Sequence, residues 1–370
     1  MTQHSIDDVR FEVRGRAGVI TLDRPKALNA LTLPMVRAID AQLVDWTGDP
    51  AVSHVVLTST SEKAFCAGGD IRRIHDMGRA GEPGLTEFFH DEYRMNRRIH
   101  RYAKPFTSLI DGICMGGGVG LSAHAPYRVG SEKTLFAMPE VSIGFFPDVG
   151  GTHMLSRMPG ETGAFLAMTG GRLKWADCLH VGFLSHTVES ARMGELLAAL
   201  VEAEAPAAVL ERFRVDPGAA PLAARRAAID RLFAGDDPTA IVARLEREEG
   251  PDAEWARAIA AEISAKSPTS VAIALRQVRI GGSLSFEEGM RTEFRIESLT
   301  AASARRRIWS LGNTEWADTK CEVLANTLTL HCQFLGDGAT QGGVDLDLTG
   351  WSDVRVRWQR DADAKTGRLD

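Results

Sequence analysis

Cysteine is scarce in this chain: five residues in 370, at positions 66, 114, 178, 321 and 332, odd in number and without a paired metal-type spacing. That argues against a disulfide framework and a zinc site. It fits reduced thiols, so a cytoplasmic protein is expected. Basic charge is not in excess either. With 43 Lys and Arg against 49 Asp and Glu, the net charge of −6 leaves no footprint for nucleic acid. No uninterrupted apolar run reaches the roughly 18 residues a membrane span needs. Met1 to Asp8 is polar and lacks the apolar stretch of a secretory signal. Neither a Walker A loop nor a G-x-S-x-G elbow occurs, so phosphoryl transfer and a serine triad both lack support. The remaining composition, 44% hydrophobic and 25% charged, is that of an ordinary globular protein, long enough for a large domain with an appendage.

Strands and helices alternate over the first half, which predicts an α/β core. Val19–Leu22, Val55–Thr58, Phe106–Ile110, Tyr127–Val129 and Leu135–Ala137 read as short buried strands. Val36, Ile39, Leu43 and Trp46 fall at helical spacing, with Thr32 as N-cap and Pro34 in the first turn. Val119 to Ala125 predicts a short helix. Helical patterns dominate from Glu161, and Ala203 to Ala265 reads as a covering layer of surface helices. Further helices are expected over Ser270–Arg279 and Ser285–Ser298, with a break at Gly281-Gly282 between them. There is no internal repeat. The last seventy or so residues differ: helical periodicity fades, and Gly336 to Gly350 is rich in Gly, Asp and Thr. An irregular, poorly packed tail from about Ala301, open to proteolysis, is expected there.

The chemistry-bearing residues concentrate between positions 64 and 151. Met115-Gly116-Gly117-Gly118-Val119-Gly120 and Ala64-Phe65-Cys66-Ala67-Gly68-Gly69-Asp70 are glycine clusters next to strands. Where no side chain intervenes, a backbone N–H approaches a carbonyl oxygen closely enough to stabilise an oxyanion. Glu140, between Pro139 and Val141, and Asp148, after Phe145-Phe146-Pro147, lie eight residues apart in an apolar frame. Carboxyls are rarely buried without a partner. The pair points to a pocket in which one carboxyl is held protonated and the other ionised. Gly118-Val119-Gly120-Leu121-Ser122-Ala123, with Glu140 further on, formally matches a dinucleotide fingerprint, but it sits mid-chain with no second mononucleotide half. Ser122 and His124, at i and i+2, diverge on a helix and read as structural. His186 reads as a strand residue beside the core. Cys66 and Cys114 read as small packing residues.

These motifs together resemble the crotonase (enoyl-CoA hydratase/isomerase) superfamily. Arg24-Pro25-Lys26-Ala27-Leu28-Asn29-Ala30-Leu31, Ala64 to Ile71 and Gly116 to Gly118 occur in the family's order and separation, over about Val9 to Ile296. Within it the chain is most similar to the 3-hydroxyisobutyryl-CoA hydrolases, on His90 to Asn96, Met115 to Ser122, and Phe136 to Glu140 through Phe146 to Gly151. The resemblance implies a crotonase-like spiral of ββα turns over residues 1–200, a helical C-terminal region of the same fold over 201–300, and an anomalous tail over 301–370. It places the thioester oxygen between the N–H groups of Gly69 and Gly117. Glu140, Asp148 and Glu92 match catalytic and substrate positions. Coenzyme A runs past the backbone of Lys26, Ala27 and Leu28 and of Ala67, Gly68, Gly69, Asp70 and Ile71.

What the resemblance implies is cleavage of a short branched 3-hydroxyacyl-CoA to the free acid and CoA, as in valine breakdown. No cofactor or metal is needed, because coenzyme A is part of the substrate. Oligomers such as trimers or pairs of trimers are common among such proteins, so a homo-oligomer is a possible partner state, with no nucleic acid and no membrane. Hydratases of the superfamily carry a second glutamate two residues after the glycine triplet. Here that position is Gly120. The alternatives are an isomerase or hydratase of the same superfamily, which keeps the thioester, and a catalytically impaired acyl-CoA-binding protein. From Ala301 the family's closing segment is absent, which reads either as a divergent extension or as the translation of a shifted frame.

Overall fold

Two sheets grow from one repeated move of the chain: a strand in each, then a helix back. The structure is a computed structural model that describes residue 4, residues 6–80 and 85–304, and four three-residue strands beyond. Those strands pair antiparallel in twos, Glu322–Leu324 with Thr327–Thr329 and Trp358–Arg360 with Gly367–Leu369. The expectation of a poorly packed, protease-sensitive tail falls mostly outside the described residues.

The larger sheet begins with β1 (Val9–Arg14), β2 (Ala17–Leu22) and β3 (His54–Ser59). The smaller begins with β4 (Ala64–Cys66). After β5 (Phe106–Ile110) comes β6 (Ile113–Met115), and after β7 (Tyr127–Gly130) comes β8 (Leu135–Ala137). β9 (Leu173–Lys174) and β10 (His186–Thr187) complete them. The sheet orders are β1-β2-β3-β5-β7-β10 and β4-β6-β8-β9. Only β1–β2 and β8–β9 pair antiparallel; the other neighbours run parallel. Helices cover the parallel strands, so these read as apolar runs rather than alternations: Phe106 and Leu109–Ile110 are buried, and so are Val55–Leu57.

The expected first helix is α1 (Leu33–Gly48), capped by the Thr32 hydroxyl on the Met35 N–H at 3.4 Å, with Val36, Ile39, Leu43 and Trp46 buried. After β4 the chain forms α2 (Ile71–Ala80) and α3 (Leu85–His100), and after β6 the short α4 (Gly117–Ser122). A 3-10 turn over Glu140–Ile143 precedes α5 (Gly151–Leu155), α6 (Thr162–Thr169) and α7 (Trp175–His180). The covering layer is α8 (Met193–Glu202), α9 (Pro206–Phe213), α10 (Pro221–Leu232), α11 (Pro238–Glu246) and α12 (Ala253–Ser264). The last two helices, α13 (Pro268–Gly281) and α14 (Phe286–Ala304), turn back onto the first half: both pack on α5, and α14 also on α3. That return brings distant acidic residues to one place.

Candidate active site

The glycine motifs meet where β4 and β6 end. Gly116 follows β6 with φ +47, a left-handed conformation suited to glycine, and Gly117 opens α4. A Cβ on Gly118 would overlap the Cys66 carbonyl, so the two strand ends approach more closely than any side chain permits. A Cβ on Gly117 would lie 3.2 Å from the Gly69 nitrogen. The Gly69 and Gly117 amides are thus neighbours, and neither donates a hydrogen bond among the described residues. Two adjoining unpaired N–H groups are the geometry an oxyanion needs.

The two segments expected along coenzyme A lie side by side. Pro25–Ala27 forms a 3-10 turn, and Leu28 and Asn29 have φ of +52 and +55. The Asn29 amide holds this bend: its Oδ1 accepts the Arg24 N–H at 2.8 Å, and its Nδ2 donates to the Phe65 carbonyl at 3.0 Å. The Ala67 N–H donates to the Leu28 carbonyl at 3.0 Å, and Arg24 pairs with Asp70 at 2.9 Å. Lys26 to Leu28 and Ala67 to Ile71 therefore form one continuous backbone edge leading to Gly69.

Opposite the amides stand carboxyls. A Cβ on Gly117 would lie 2.6 Å from Glu92 Oε1, and one on Gly116 would lie 3.0 Å from Glu140 Oε1. Glu92, Glu140 and Asp148 are 2%, 7% and 7% exposed, so all three are inside the protein. Burial first, and then the charge on Asp148, raise Glu92 and Glu140 well above the ordinary carboxylate range. Burial and the Glu293 charge push Asp148 up to about 8. The structure thus assembles the three expected carboxyls, each leaning toward its neutral form.

Sequence reasoning missed four members of this cluster. Tyr93 and Asn96 on α3, and Glu293 and Glu297 on α14, are all buried. Their signal was an acidic or amide residue on an apolar helical stripe: Phe286, Met290, Glu293 and Glu297 share one face of α14, as do Phe88, Glu92, Asn96 and Ile99 on α3. Burial raises Glu293 too, but the N–H groups of Gly150 at 2.8 Å and Thr152 at 2.7 Å and the Tyr93 hydroxyl at 3.1 Å oppose that rise, so within the cluster it is the carboxyl best placed to hold the ion. Glu140 Oε2 and Glu92 Oε1 have no partner among the described residues. The position of the hydratase glutamate is closed: a Cβ on Gly120 would lie 2.8 Å from Val149 Cβ and 2.9 Å from Asn96 Nδ2.

The remaining candidates do not form a second site. The Ser122 hydroxyl donates to the Gly118 carbonyl at 2.9 Å, and His124 Nε2 bonds the Val149 carbonyl at 2.7 Å, so they are not a nucleophile and its base. Burial pushes the Cys114 thiol up to about 12 and raises Cys66 further, which keeps both inert. His186 lies in β10 beside Glu211 at 3.3 Å. A cavity of about 190 Å³ between His124, His153 and Arg157 contains none of the clustered carboxyls. Among the described residues no three His, Cys, Asp or Glu side chains are placed to hold a metal ion, and no helix is long and apolar enough to cross a membrane.

The family described as enoyl-CoA hydratase/isomerase matches residues 17–305. The mitochondrial 3-hydroxyisobutyryl-CoA hydrolase of Danio rerio is 44% identical over 306 residues, covering 80% of this chain and 79% of the relative. The human protein of that name is 39% identical over 308 residues, with the same coverage. Among solved structures, a carnitinyl-CoA dehydratase from Mycobacterium thermoresistibile has a TM-score of 0.77 at 40% identity, covering 81% of this chain and 86% of that one. An enoyl-CoA hydratase from Rhodobacter sphaeroides has a TM-score of 0.70 at 41% identity, with the same coverage. The hydrolases' names correct the expected cytoplasmic location: those relatives are mitochondrial. Reduced thiols report a reducing compartment without saying which one.

Proposed function

We propose, from the premise that this chain belongs to the enoyl-CoA hydratase/isomerase family, that it hydrolyses a short branched 3-hydroxyacyl-CoA, 3-hydroxyisobutyryl-CoA first among them. The observation that carries this reading is the pairing of the Gly69 and Gly117 amides with buried Glu92, Glu140 and Asp148, while Gly120 leaves no place for a second hydratase glutamate. The two amides hold the thioester oxygen as it gains charge, each contributing roughly 3–4 kcal/mol in the transition state. Glu140, once ionised, attacks the thioester carbon to give a mixed anhydride, or takes a proton from a water that attacks instead. The carbon–sulfur bond breaks, and Asp148 gives its proton to the departing thiolate. In the anhydride route Asp148 regains a proton from the water that cleaves the anhydride; in the water route the proton taken up by Glu140 passes to Asp148 and restores both groups.

Glu92 holds the acyl end, and Asp148 also binds the 3-hydroxyl. The coenzyme A moiety lies along Lys26 to Leu28 and Ala67 to Ile71. Coenzyme A thiolate is a fair leaving group, so in this reading the chemistry calls on no cofactor or metal. A homo-oligomer is part of the proposal, tested by light scattering.

A hydratase-type reading is favoured by the names of the two solved neighbours. The decisive experiment is thiol release from a panel of acyl-CoA esters, with mass analysis of the product. Hydrolysis frees CoA, an isomerase leaves the ester's mass unchanged, and a hydratase adds one water. Tight binding without turnover of any ester would mark a binding protein. Failure to release thiol from every 3-hydroxyacyl ester would overturn the hydrolase reading.

A further inference from the structure

Behind Asp148 stands a carboxylate that the hydrolytic scheme does not use. Glu293 reaches from α14 into the turn that joins Asp148 to α5 and is fully buried there. That turn is strained. Val149, a β-branched residue, has φ +48, and Gly150 follows at +88. Side chains from three other elements grip it. His124 Nε2 bonds the Val149 carbonyl at 2.7 Å, and Gln277 Nε2 donates to the Pro147 carbonyl at 3.1 Å and to the Thr152 hydroxyl at 2.9 Å. Glu293 is the charged member, accepting the Gly150 N–H at 2.8 Å on one oxygen and the Thr152 N–H at 2.7 Å on the other.

The Tyr93 hydroxyl lies between Glu293 at 3.1 Å and Glu297 at 2.8 Å. A hydroxyl has one proton to give. The phenol offers it to either carboxyl, and Glu293, which also accepts two amide N–H groups, is the better-stabilised anion of the two, directly behind the Asp148 turn.

We propose that Glu293 is a positioning residue: as an ionised clamp on the Gly150 and Thr152 amides, it fixes the strained turn that aims Asp148, and its charge keeps a proton on Asp148 for the departing thiolate. The kinetic half of this inference rests on the hydrolase reading; the structural half does not. The groups facing Asp148 agree in sign. They are Glu92 and Tyr93 from α3, Glu140 from the 3-10 turn, and Glu293 and Glu297 from α14. Neutral His124 contacts the neighbouring carbonyl, and burial and neighbouring cations hold it near 4.

The test compares wild type with Glu293→Gln and Glu293→Asp in the full chain. Asp148 is followed by carbon-13 NMR, assigned by its loss in Asp148→Asn, and the turn amides by hydrogen exchange. Glu293→Gln should lower the Asp148 midpoint by about 1 pH unit and speed exchange at Gly150 and Thr152 by about tenfold or more. Turnover of 3-hydroxyacyl esters should fall about 10- to 100-fold with KM little changed, and the alkaline limb of kcat should move down with the Asp148 midpoint. Glu293→Asp keeps the charge, so it should keep the midpoint even where it loses rate; it also serves if Glu293→Gln does not fold. An unchanged midpoint in Glu293→Gln, or equal loss of rate in both variants without any movement of the midpoint, would overturn the proposal. The NMR and exchange readings need no turnover. A wild-type protein that frees no thiol would therefore sink the hydrolase reading while the clamp still stood or fell on those two measurements.

Discussion

The wall of the site formed by Gly68–Asp70 and Gly116–Gly118 is made of backbone, whereas the wall facing it is made of acidic side chains from α3, the Glu140 turn, the Asp148 turn and α14. The backbone wall works by having nothing in the way, and a single methyl group disturbs it. The acidic wall works by crowding like charges in a dry interior, so its protonation state is set by the whole group. The first presents fixed dipoles and needs no reorganisation; the second stores protons and is sensitive to pH. In the proposed mechanism oxyanion stabilisation falls to one wall and proton transfer to the other, so the two should fail differently when altered.

The largest effect is expected on the acidic wall. Glu140→Gln should lower turnover by about 10² or more, the range for losing a base or nucleophile, with KM changed far less. Single-turnover hydrolysis in ¹⁸O water would then sharpen the mechanism, because only the anhydride route puts label into Glu140. Near-normal turnover in the variant would remove Glu140 from the chemistry. Close behind comes the backbone wall: Gly117→Ala directs a methyl at Glu92 Oε1 and the Gly69 nitrogen. A loss of about 10²- to 10³-fold in kcat follows if an oxyanion donor is displaced. That loss should be the same for hydroxylated and plain acyl esters. An activity near wild type would mean that the oxyanion sits elsewhere.

How much of this could be read before the structure follows from the same contrast. The backbone wall was legible because glycines beside strands have a local reason, and the motif order carries the fold with it. Glu140 and Asp148 were legible because each stands in an apolar frame. Glu293 and Tyr93 were not: they are 200 residues apart, and only the return of α14 onto α3 and α5 decides that both are buried. Glu293 and Glu297, read in isolation, look like a solvated helix face. The periodicity that placed Val36, Ile39, Leu43 and Trp46 in the core would have placed them inside as well, had their charge not argued otherwise. The location was misjudged for a plainer reason, since unpaired cysteines carry no address.

Asp148 separates the walls by substrate. Asp148→Asn should cost several-fold more for a 3-hydroxyacyl ester than for the unsubstituted ester, because a carboxyl bound to the hydroxyl acts only where there is one. The wild-type profile of kcat/KM should be a bell. Its acid limb should lie above the ordinary carboxylate range, since burial and like charge raise both Glu140 and Asp148, and one of the two must ionise while the other keeps a proton for the thiolate. Both limbs report the coupled group. An acid limb in the ordinary carboxylate range would detach the rate from the buried cluster.

The smallest effect is on stability, and its sign distinguishes the acidic wall from the histidines behind it. Burial lowers His124 and His153 to about 4, so each opposes folding where it would be charged in the unfolded chain, and that cost fades as pH rises through the ordinary histidine range. Asp148 behaves oppositely. Its folded-state value of about 8 lies above its unfolded one near 4, so the folded protein binds the extra proton and stability falls as pH rises between those two values. Above about pH 7 the histidines are neutral in both states and only the acidic wall still titrates. Between about pH 7 and about pH 8 the substrate-free protein should therefore lose Tm, by an amount corresponding to about 1.4 kcal/mol per pH unit for a single group. Asp148→Asn should lessen that decline by one group's share, the raised Glu92 and Glu140 keeping the rest, while leaving the acid side of the curve to the histidines. A Tm that rose over this interval, or fell equally in Asp148→Asn, would mean that Asp148 is already ionised at neutral pH and has no proton to give the thiolate.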